Sequence, residues 1–212
     1  MSSGVFVTIE GGEGAGKSTS LAYLQDGLER AGCDYIVSRE PGGTEVGERV
    51  RDILLHGKDL HIDAGTELLL MFAARNQHIQ TVILPSLAQG KVILCDRFTD
   101  ASYAYQGGGR GISDERIGIL EQWVQDNLRP DITILFDIPV EQGLARAGAR
   151  SEPDRFESEH TDFFDKVRAA YRRRAAAEPG RFEVIDASRD LAGVQKQLDP
   201  VIHRIAGMNR GQ

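Results

Sequence analysis

The chain is poor in several features whose scarcity limits what it can be. Among its 212 residues there are only two cysteines, and no apolar run approaches the ~18 residues that a membrane span needs. Cys33 and Cys95 lie far apart without a partner motif, which disfavours a disulfide framework or a zinc site and favours a reducing compartment. The amino terminus has no basic stretch ahead of an apolar one, so we expect a cytoplasmic protein without membrane attachment.

An excess of positive charge is also missing. The chain carries 32 acidic and 25 basic residues, a net charge of -7, which disfavours a general affinity for nucleic acid. Anionic ligands must then be met by local basic clusters. The composition is 41% hydrophobic and no Ser/Gly/Pro-rich linker divides the sequence, so residues 1–212 are expected to form a single domain.

Short β-rich runs alternate with longer helical patterns along the whole chain. Helix starts are indicated at Lys17, at Pro139, after Ser113 and after Ser188. Strand, helix and strand repeated in this way predict an α/β fold, a parallel sheet with helices on both faces. The candidate strands are residues 5–9, 34–38, 91–95, 131–136 and 181–186.

A glycine-rich segment joins the first strand to the first helix. Gly11, Gly16, Lys17 and Ser18 satisfy the pattern G-x-x-x-x-G-K-[ST], in the strand-to-helix context that the motif requires. Glycines let the backbone turn tightly and aim N–H groups at a phosphate, Lys17 adds a positive charge, and the Ser18 hydroxyl is placed to bind Mg²⁺. The alternative is a glycine-rich turn with a solvated lysine. The predicted nucleotide-binding residues are Gly11, Gly12, Glu13, Gly14, Ala15, Gly16, Lys17, Ser18 and Thr19.

Two further segments could form the pocket of a second substrate. Residues 38–51 follow the second strand, where open α/β sheets place ligands, although the Pro-Gly-Gly they contain could be a simple turn. In the helix predicted at 67–79, Phe72 and Arg75 are three residues apart and share a face. A flat ring beside a forked donor suits a nucleobase, but an ordinary amphipathic helix would show the same pattern.

The segment 92–111 combines a strand end with a polar helix. Asp96 ends a buried strand as a Walker B acid would, within reach of a magnesium shell, and Arg97 follows it. Ser102, Tyr105 and Gln106 then share one helical face. The Asp-Arg pair could also be a surface ion pair.

A basic segment late in the chain is a candidate lid. Residues 144–158 contain Arg146, Arg150 and Arg155 together with Gly148 and Pro153, a composition that suits a hinged segment closing over a transferring phosphate. A solvated loop is the alternative.

These motifs together resemble one known family. “EGGEGAGKST”, “REPGGT”, “LLMFAAR”, “CDRFTDASYAYQGGGRG” and “RAGARSEPDRFE” occur in the order and spacing of the bacterial thymidylate kinases, which phosphorylate dTMP with ATP. The resemblance spans nearly the whole chain. It implies a five-stranded parallel sheet of the P-loop NTPase fold, Mg²⁺ with ATP as phosphoryl donor, a homodimer and a closing lid.

The resemblance also implies roles for single residues. The phosphate loop would hold ATP, Glu13 would lie near the dTMP sugar, and Arg97 would hold the dTMP phosphate. Around the base, Phe72 would stack on thymine, Arg75 would bond its carbonyl, Ser102 would contact its edge, Tyr105 would crowd the sugar 2′ position and Gln106 would support the pocket. The resemblance implies a catalytic arginine in the lid. Arg150 is the first candidate and Arg146 the second, because both precede the hinge expected at residues 151–153, whereas Arg155 follows Asp154 and could pair locally.

Other classes of function make different demands on the sequence. A nucleoside kinase acts on a neutral hydroxyl and benefits from a carboxylate base, whereas a nucleotide acceptor is already ionised near neutral pH because its second pKa is about 6. A GTPase would be expected to carry an Asn-Lys-x-Asp signature, and the chain has none. A structural protein with a vestigial loop would bind ATP without turnover.

Overall fold

We describe the protein from a computed structural model, in residues 4–57, 60–148, 155–156 and 159–211. Within these residues the sheet has five parallel strands in the order β2-β3-β1-β4-β5. The strands are β1 (Val5–Gly11), β2 (Tyr35–Arg39), β3 (Val92–Asp96), β4 (Ile132–Asp137) and β5 (Phe182–Asp186). All five predicted strands are confirmed, as is the parallel α/β architecture.

Helices cover both faces of the sheet. They are α1 (Lys17–Arg30), α2 (Glu45–His56), α3 (Ala64–His78), α4 (Leu84–Ala88), α5 (Thr99–Ser102), α6 (Asp114–Gln125), α7 (Val140–Ala147), α8 (Thr161–Ala177) and α9 (Leu191–Asn209). Two π-helical segments, Ile79–Ile83 and Tyr103–Gly109, continue α3 into α4 and extend α5. None of the described helices is both long and apolar enough to span a membrane.

Strand β1 shows how the core divides into layers. Successive side chains of a strand point to opposite faces, so Val7 and Ile9 pack with α1 and α9 while Phe6 packs with Ile79 and Ile83 on the other side. Both sets are almost completely buried. The apolar runs of the central strands therefore record burial on two faces, as expected of a parallel sheet.

Two helix boundaries differ from the sequence predictions. Ser188 does not cap α9, because its hydroxyl and backbone N–H are bound to Asp186; Asp190 caps the helix instead, accepting from the Gly193 N–H at 2.8 Å. Helix α6 begins after Ser113 as predicted but ends at Gln125, three residues before the apolar pattern does.

Three large apolar side chains are exposed on two neighbouring helices. Leu69 on α3 and Ile119 and Trp123 on α6 are exposed, although the two helices pack on each other. Trp123 is the most open of the three, with 81% of its surface accessible.

Candidate active site

A cleft of about 290 Å³ lies at the carboxyl ends of β1, β2 and β3. Parallel strands end at one edge of the sheet, and this is where open α/β folds place their ligands. The cleft brings together nearly all of the segments singled out in the sequence. Its walls are formed by Glu13, Gly14, Ala15, Gly16, Lys17, Ser18, Glu40, Pro41, Arg51, Leu55, Met71, Arg75, Asp96, Arg97, Phe98, Ala101, Ser102, Tyr105, Gln106, Ala147 and Phe156.

The phosphate loop lies at one end of this cleft. Lys17 donates from Nζ to the carbonyl oxygens of Gly11 at 3.0 Å and Gly12 at 3.1 Å. Burial, followed by repulsion from Arg97, lowers the Lys17 pKa below its usual value. Both effects favour the arrival of an anion, which would offset the repulsion and take over as partner of the ammonium group.

Gly14 lies where the loop meets α7. Its φ is 66°, and a Cβ there would stand 1.9 Å from the carbonyl oxygen of Gly143. Any side chain at this position would push the loop away from the helix that leads into the predicted lid segment. Gly14 therefore sets how closely the phosphate loop and α7 can pack.

Arg97 follows β3 and reaches across to the phosphate loop. Its Nη2 donates to Glu13 Oε1 at 2.5 Å, and the Tyr105 hydroxyl donates to the same oxygen at 2.8 Å. The guanidinium also lies 4.5 Å from the centre of the Tyr105 ring. Burial alone would raise the Glu13 pKa, but the charges of Arg97 and Lys17 outweigh it and lower the pKa to about 2. Glu13 is thus fixed as an anion.

Glu10 supports the backbone that carries Arg97. Its two carboxyl oxygens accept from the Phe98 N–H at 2.7 Å and from the Tyr171 hydroxyl at 2.8 Å. Arg97 has a left-handed φ of 67°, unusual for a side chain of its size, so this anchor next to it holds a strained turn. Burial and the nearby charge of Asp100 raise the Glu10 pKa to about 7. The sequence reasoning did not single out Glu10, because it lies inside a strand.

Asp96 and Ser18 are the residues predicted to bind a metal, and both line the cleft. Asp96 Oδ1 is buried and has no hydrogen-bond partner among the described residues. A buried carboxylate oxygen without a partner is costly, so it fits a position filled by a cation or its water. No group of three or more His, Cys, Asp or Glu side chains in the described part of the chain could hold a metal by itself.

Arg75 forms the opposite end of the cleft. Nε donates to Glu40 Oε2 at 2.7 Å, while Nη2 donates to the Phe98 carbonyl at 3.0 Å and to Ser102 Oγ at 3.1 Å. The remaining nitrogen, Nη1, is buried without a hydrogen-bond partner among the described residues. An unpartnered donor nitrogen in a residue that lines the cleft is a candidate partner for an acceptor atom of a ligand.

Phe72 takes a different position from the one the sequence suggested. It is not among the residues that line the cleft; its ring lies 4.5 Å from the Arg75 guanidinium carbon and packs with Leu68, Tyr103 and Ile117. Met71, four residues before Arg75, lines the cleft in its place. The arrangement makes Phe72 a support for Arg75, and Met71 the α3 side chain that lines the cleft together with Arg75.

Glu67 gathers three donors behind the base end. It is completely buried and accepts from Gln106 Nε2 at 2.9 Å, from Arg110 and from Arg155 Nη2 at 2.5 Å. Arg155 also donates to the Leu54 carbonyl at 2.8 Å. Gln106 therefore lies in the cleft wall as predicted, held from behind by a carboxylate that the sequence analysis did not single out.

The two predicted lid arginines that the structure describes bind different partners. Arg155 is bound to Glu67, and Arg146 donates to the backbone carbonyls of Ala187 at 2.8 Å and Ser188 at 3.3 Å, in the turn after β5. Neither lines the cleft. Arg150, the first candidate, lies outside the described residues, as do most of residues 149–158.

Arg51 is a cleft residue that the sequence analysis included only as the end of a segment. Its Nη1 donates to the Pro41 carbonyl at 2.9 Å, and its pKa is lowered by burial and by the nearby charge of Arg39. Arg97 contributes to the same lowering. Arg51 and Arg97 both line the cleft. Two neighbouring cations in the cleft of an acidic protein favour a ligand with several negative charges.

The fold and this cleft define a P-loop protein of the α/β class, whose cleft extends from the phosphate loop to side chains of α3 and of the segment after β3. Comparisons with known proteins narrow that class. A family model described as thymidylate kinase matches residues 9–198, so the chain belongs to the thymidylate kinase family and is a kinase.

Individual relatives agree over nearly the whole length. The chain is 56% identical to the thymidylate kinase of Pseudomonas syringae pv. tomato, covering 98% of this chain and 99% of the relative, and 56% identical to that of Ectopseudomonas mendocina over the same shares. The crystal structure of thymidylate kinase from Ehrlichia chaffeensis matches with a TM-score of 0.75 at 33% identity, covering 95% of this chain and 99% of that one.

Proposed function

We propose that this protein transfers the γ-phosphoryl group of ATP to the phosphate of dTMP, giving dTDP and ADP. The observation that carries the proposal is the two-ended cleft, with the phosphate loop at one end and the unpartnered Nη1 of Arg75 at the other. Family membership supports the same reaction. We propose that it takes place in the cytoplasm, where the buried free thiols of Cys33 and Cys95 would stay reduced.

The acceptor end is assigned by charge and shape. Arg97 and Arg51 would hold the dTMP phosphate, and Arg75 Nη1 would donate to a thymine carbonyl beside Met71. Tyr105, held by Glu13, would lie against the sugar, and Ser102 and Gln106 would complete the base compartment. These contacts align an already ionised phosphate with ATP, so no proton has to be removed before attack.

The donor end neutralises charge as it shifts during transfer. We propose that the loop Gly11–Thr19 wraps the ATP phosphates and that Lys17 exchanges its loop carbonyls for phosphate oxygens. Ser18 and Asp96 would hold Mg²⁺ together with those oxygens. The metal would neutralise phosphate charge. The lid arginine stays a proposal, since Arg150 lies outside the described residues and Arg146 is bound to the turn after β5.

A nucleoside kinase is the nearest alternative, and the state of Glu13 disfavours it. Such an enzyme benefits from a carboxylate with a pKa near neutrality close to the acceptor hydroxyl. Glu13 is the cleft carboxylate that contacts Arg97, and the charges of Arg97 and Lys17 lower its pKa to about 2. It would be a poor base at neutral pH.

We propose further that two copies associate through the exposed apolar area on α3 and α6, formed by Leu69, Ile119 and Trp123. Large apolar side chains grouped on neighbouring helices are unfavourable in water unless a partner covers them. Measurement of the molar mass in solution tests this: a mass near 23.3 kDa at micromolar concentration would exclude the homodimer.

The reaction is tested by ADP release in a coupled assay over a panel of nucleosides and nucleoside monophosphates. We expect dTMP to be the best acceptor, dUMP a poorer one and thymidine essentially inert. Faster turnover of thymidine than of dTMP would overturn the proposal, because the cleft would then serve a hydroxyl acceptor.

A further inference from the structure

A continuous line of buried polar groups runs from β2 to the base end of the cleft. Ser38 Oγ lies 2.6 Å from His78 Nε2, His78 Nδ1 lies 2.9 Å from Glu40 Oε1, and Glu40 Oε2 accepts from Arg75 Nε at 2.7 Å. His78, Glu40 and Arg75 are each less than 5% exposed. The line joins residues from β2, the turn after it and α3.

The proton positions follow from the partners. A carboxylate accepts hydrogen bonds, so Nδ1 of His78 carries a proton that it donates to Glu40. At the other end of the ring, Nε2 is hydrogen-bonded to the Ser38 hydroxyl, a group that can both accept and donate. Each end of the imidazole is therefore fixed, and so is the orientation of the Glu40 carboxylate.

That carboxylate in turn fixes the plane of Arg75. Glu40 holds Nε, and the Phe98 carbonyl and Ser102 hydroxyl hold Nη2, which leaves Nη1 as the guanidinium nitrogen without a hydrogen-bond partner among the described residues. Aromatic rings at 4.5 Å and 5.1 Å from the guanidinium carbon, those of Phe72 and Phe98, limit its motion further. A single donor nitrogen is thereby presented in one direction.

The turn at Gly43 packs closely against Ser38 and His78, which together with Glu40 we call the relay. Gly43, with a φ of 74°, packs so tightly that a Cβ would lie 2.5 Å from Ser38 Oγ and 3.0 Å from the His78 ring. The second glycine of “REPGGT” thus has a local reason that is separate from contact with any ligand.

We infer that Ser38, His78 and Glu40 act as positioning residues for Arg75, and that this relay sets the preference of the enzyme for a base carbonyl over a base amino group. The inference rests on the proposed function, because Arg75 is taken to meet the pyrimidine. Thymine presents a carbonyl oxygen where cytosine presents an amino group. A donor N–H that is fixed in one direction bonds the thymine carbonyl and repels the cytosine amino group. An arginine with more freedom can turn away from the amino group, so it discriminates less.

The test uses the full-length His78→Gln variant, with dTMP and dCMP as competing acceptors. Glutamine cannot hold both partners of the imidazole, so we expect the dissociation constant for dTMP to rise by about five- to tenfold. The ratio of kcat/KM for dTMP to that for dCMP should fall by a similar factor, while the KM for ATP changes by less than about twofold. His78→Asn, whose amide can still donate near Nδ1, should recover part of the loss.

His203→Gln provides a matched control, because this exposed histidine on α9 bonds a backbone carbonyl of its own helix. It should leave every parameter unchanged. A merely structural His78 would slow both acceptors equally or lower the melting temperature, with the dTMP to dCMP ratio preserved, and that result would overturn the inference.

A double variant tests whether His78 acts through Arg75. In the Arg75→Ala background, adding His78→Gln should change dTMP affinity by less than about twofold. A full additive loss would contradict the relay.

Should His78→Gln fail to fold, Ser38→Ala leaves the imidazole in place and should still reduce the ratio of kcat/KM for dTMP to that for dCMP by about two- to threefold. An unchanged ratio would again overturn the inference. Wild-type enzyme without dTMP turnover would refute the proposed function instead.

Discussion

The two ends of the cleft satisfy their charges in opposite ways. At the phosphate end, Lys17 is bound to loop carbonyls and Arg97 to Glu13, all of which are partners that a phosphate can replace or share. At the base end, Arg75 is held by Glu40, the Phe98 carbonyl and Ser102, and one nitrogen remains available. The first end can reorganise around a ligand, and the second is fixed before the ligand arrives.

The difference matches what each end has to do. Phosphate charge moves during transfer, so the groups around it must follow a change from one arrangement to another. A base does not change during the reaction, and a fixed donor distinguishes it best because no ordering remains to be done on binding. Changes at the phosphate end should therefore reduce kcat, and changes at the base end should reduce affinity for one substrate.

The largest effect on the phosphate end is expected from Lys17→Ala. Removing the cation from the phosphate loop should lower kcat by roughly 10²-fold or more, since one preorganised charge at such a site contributes about 3 kcal/mol. Coupled ADP release measures the loss, and thermal unfolding should show the fold retained. Lys196→Ala, an exposed lysine on α9, is the control and should behave as wild type. Wild-type turnover in Lys17→Ala would remove Lys17 from the mechanism.

The second prediction concerns the ion pair at the phosphate end and its dependence on pH. Because the Glu13 pKa is depressed to about 2, ionised Glu13 stabilises the fold above the ordinary pKa of about 4.5, and this contribution is lost as the pH falls toward 2. Glu13→Gln should therefore be less stable than wild type near pH 7, by up to about 3 kcal/mol.

Urea unfolding at a series of pH values measures this gap, the difference in the free energy of unfolding between wild type and variant. The gap should narrow steadily below pH 4.5, whereas Glu115→Gln, at an exposed position on α6, should show little gap at any pH. A constant gap across the acid range would mean that Glu13 titrates normally.

Arg75→Ala sharpens the comparison from the base end. It should weaken dTMP binding by about 1 to 3 kcal/mol, since a base carbonyl loses its donor in a buried site, and should leave ATP binding almost unchanged. Calorimetric titration with each nucleotide separates the two effects. Arg116→Ala, at an exposed position on α6, is the control. Equal weakening of ATP and dTMP would assign Arg75 to the structure as a whole.

The smallest effect is expected from Ser102→Ala. Nη2 of Arg75 would lose one of its two partners, while the Glu40 carboxylate and the Phe98 carbonyl still hold the guanidinium. The KM for dTMP should rise by about two- to fivefold with kcat nearly constant. A loss as large as that of Arg75→Ala would show that the hydroxyl contacts the nucleotide directly.

The same division explains what the sequence could predict. The phosphate loop, Asp96 and Arg97 lie on contiguous segments at strand ends, where a local pattern and a single turn determine the position of each group. Helical spacing was less decisive. Residues three and four positions before Arg75 share its face, so the pattern could not separate Phe72, which packs beneath the guanidinium, from Met71, which lines the cleft.

The relay at the base end was not predictable in this way. Glu40 and Arg75 are 35 residues apart and Glu67 and Arg155 are 88 apart, so each pair of partners meets only in the folded chain. The residue type alone does not distinguish a buried glutamate from an exposed one. The useful local signal was Gly43, whose lack of a side chain marks the place where the turn meets Ser38 and His78.

Trp123 gives the molecule a built-in optical reporter. It is the single tryptophan of the chain, so the intrinsic emission excited at long wavelength comes from one side chain on the outer surface of α6. In a separated chain that indole would be in water and emit at the red end of its range. If a second copy covers α3 and α6, the emission would shift toward the blue as the protein concentration rises, and dilution would reverse the shift without any label.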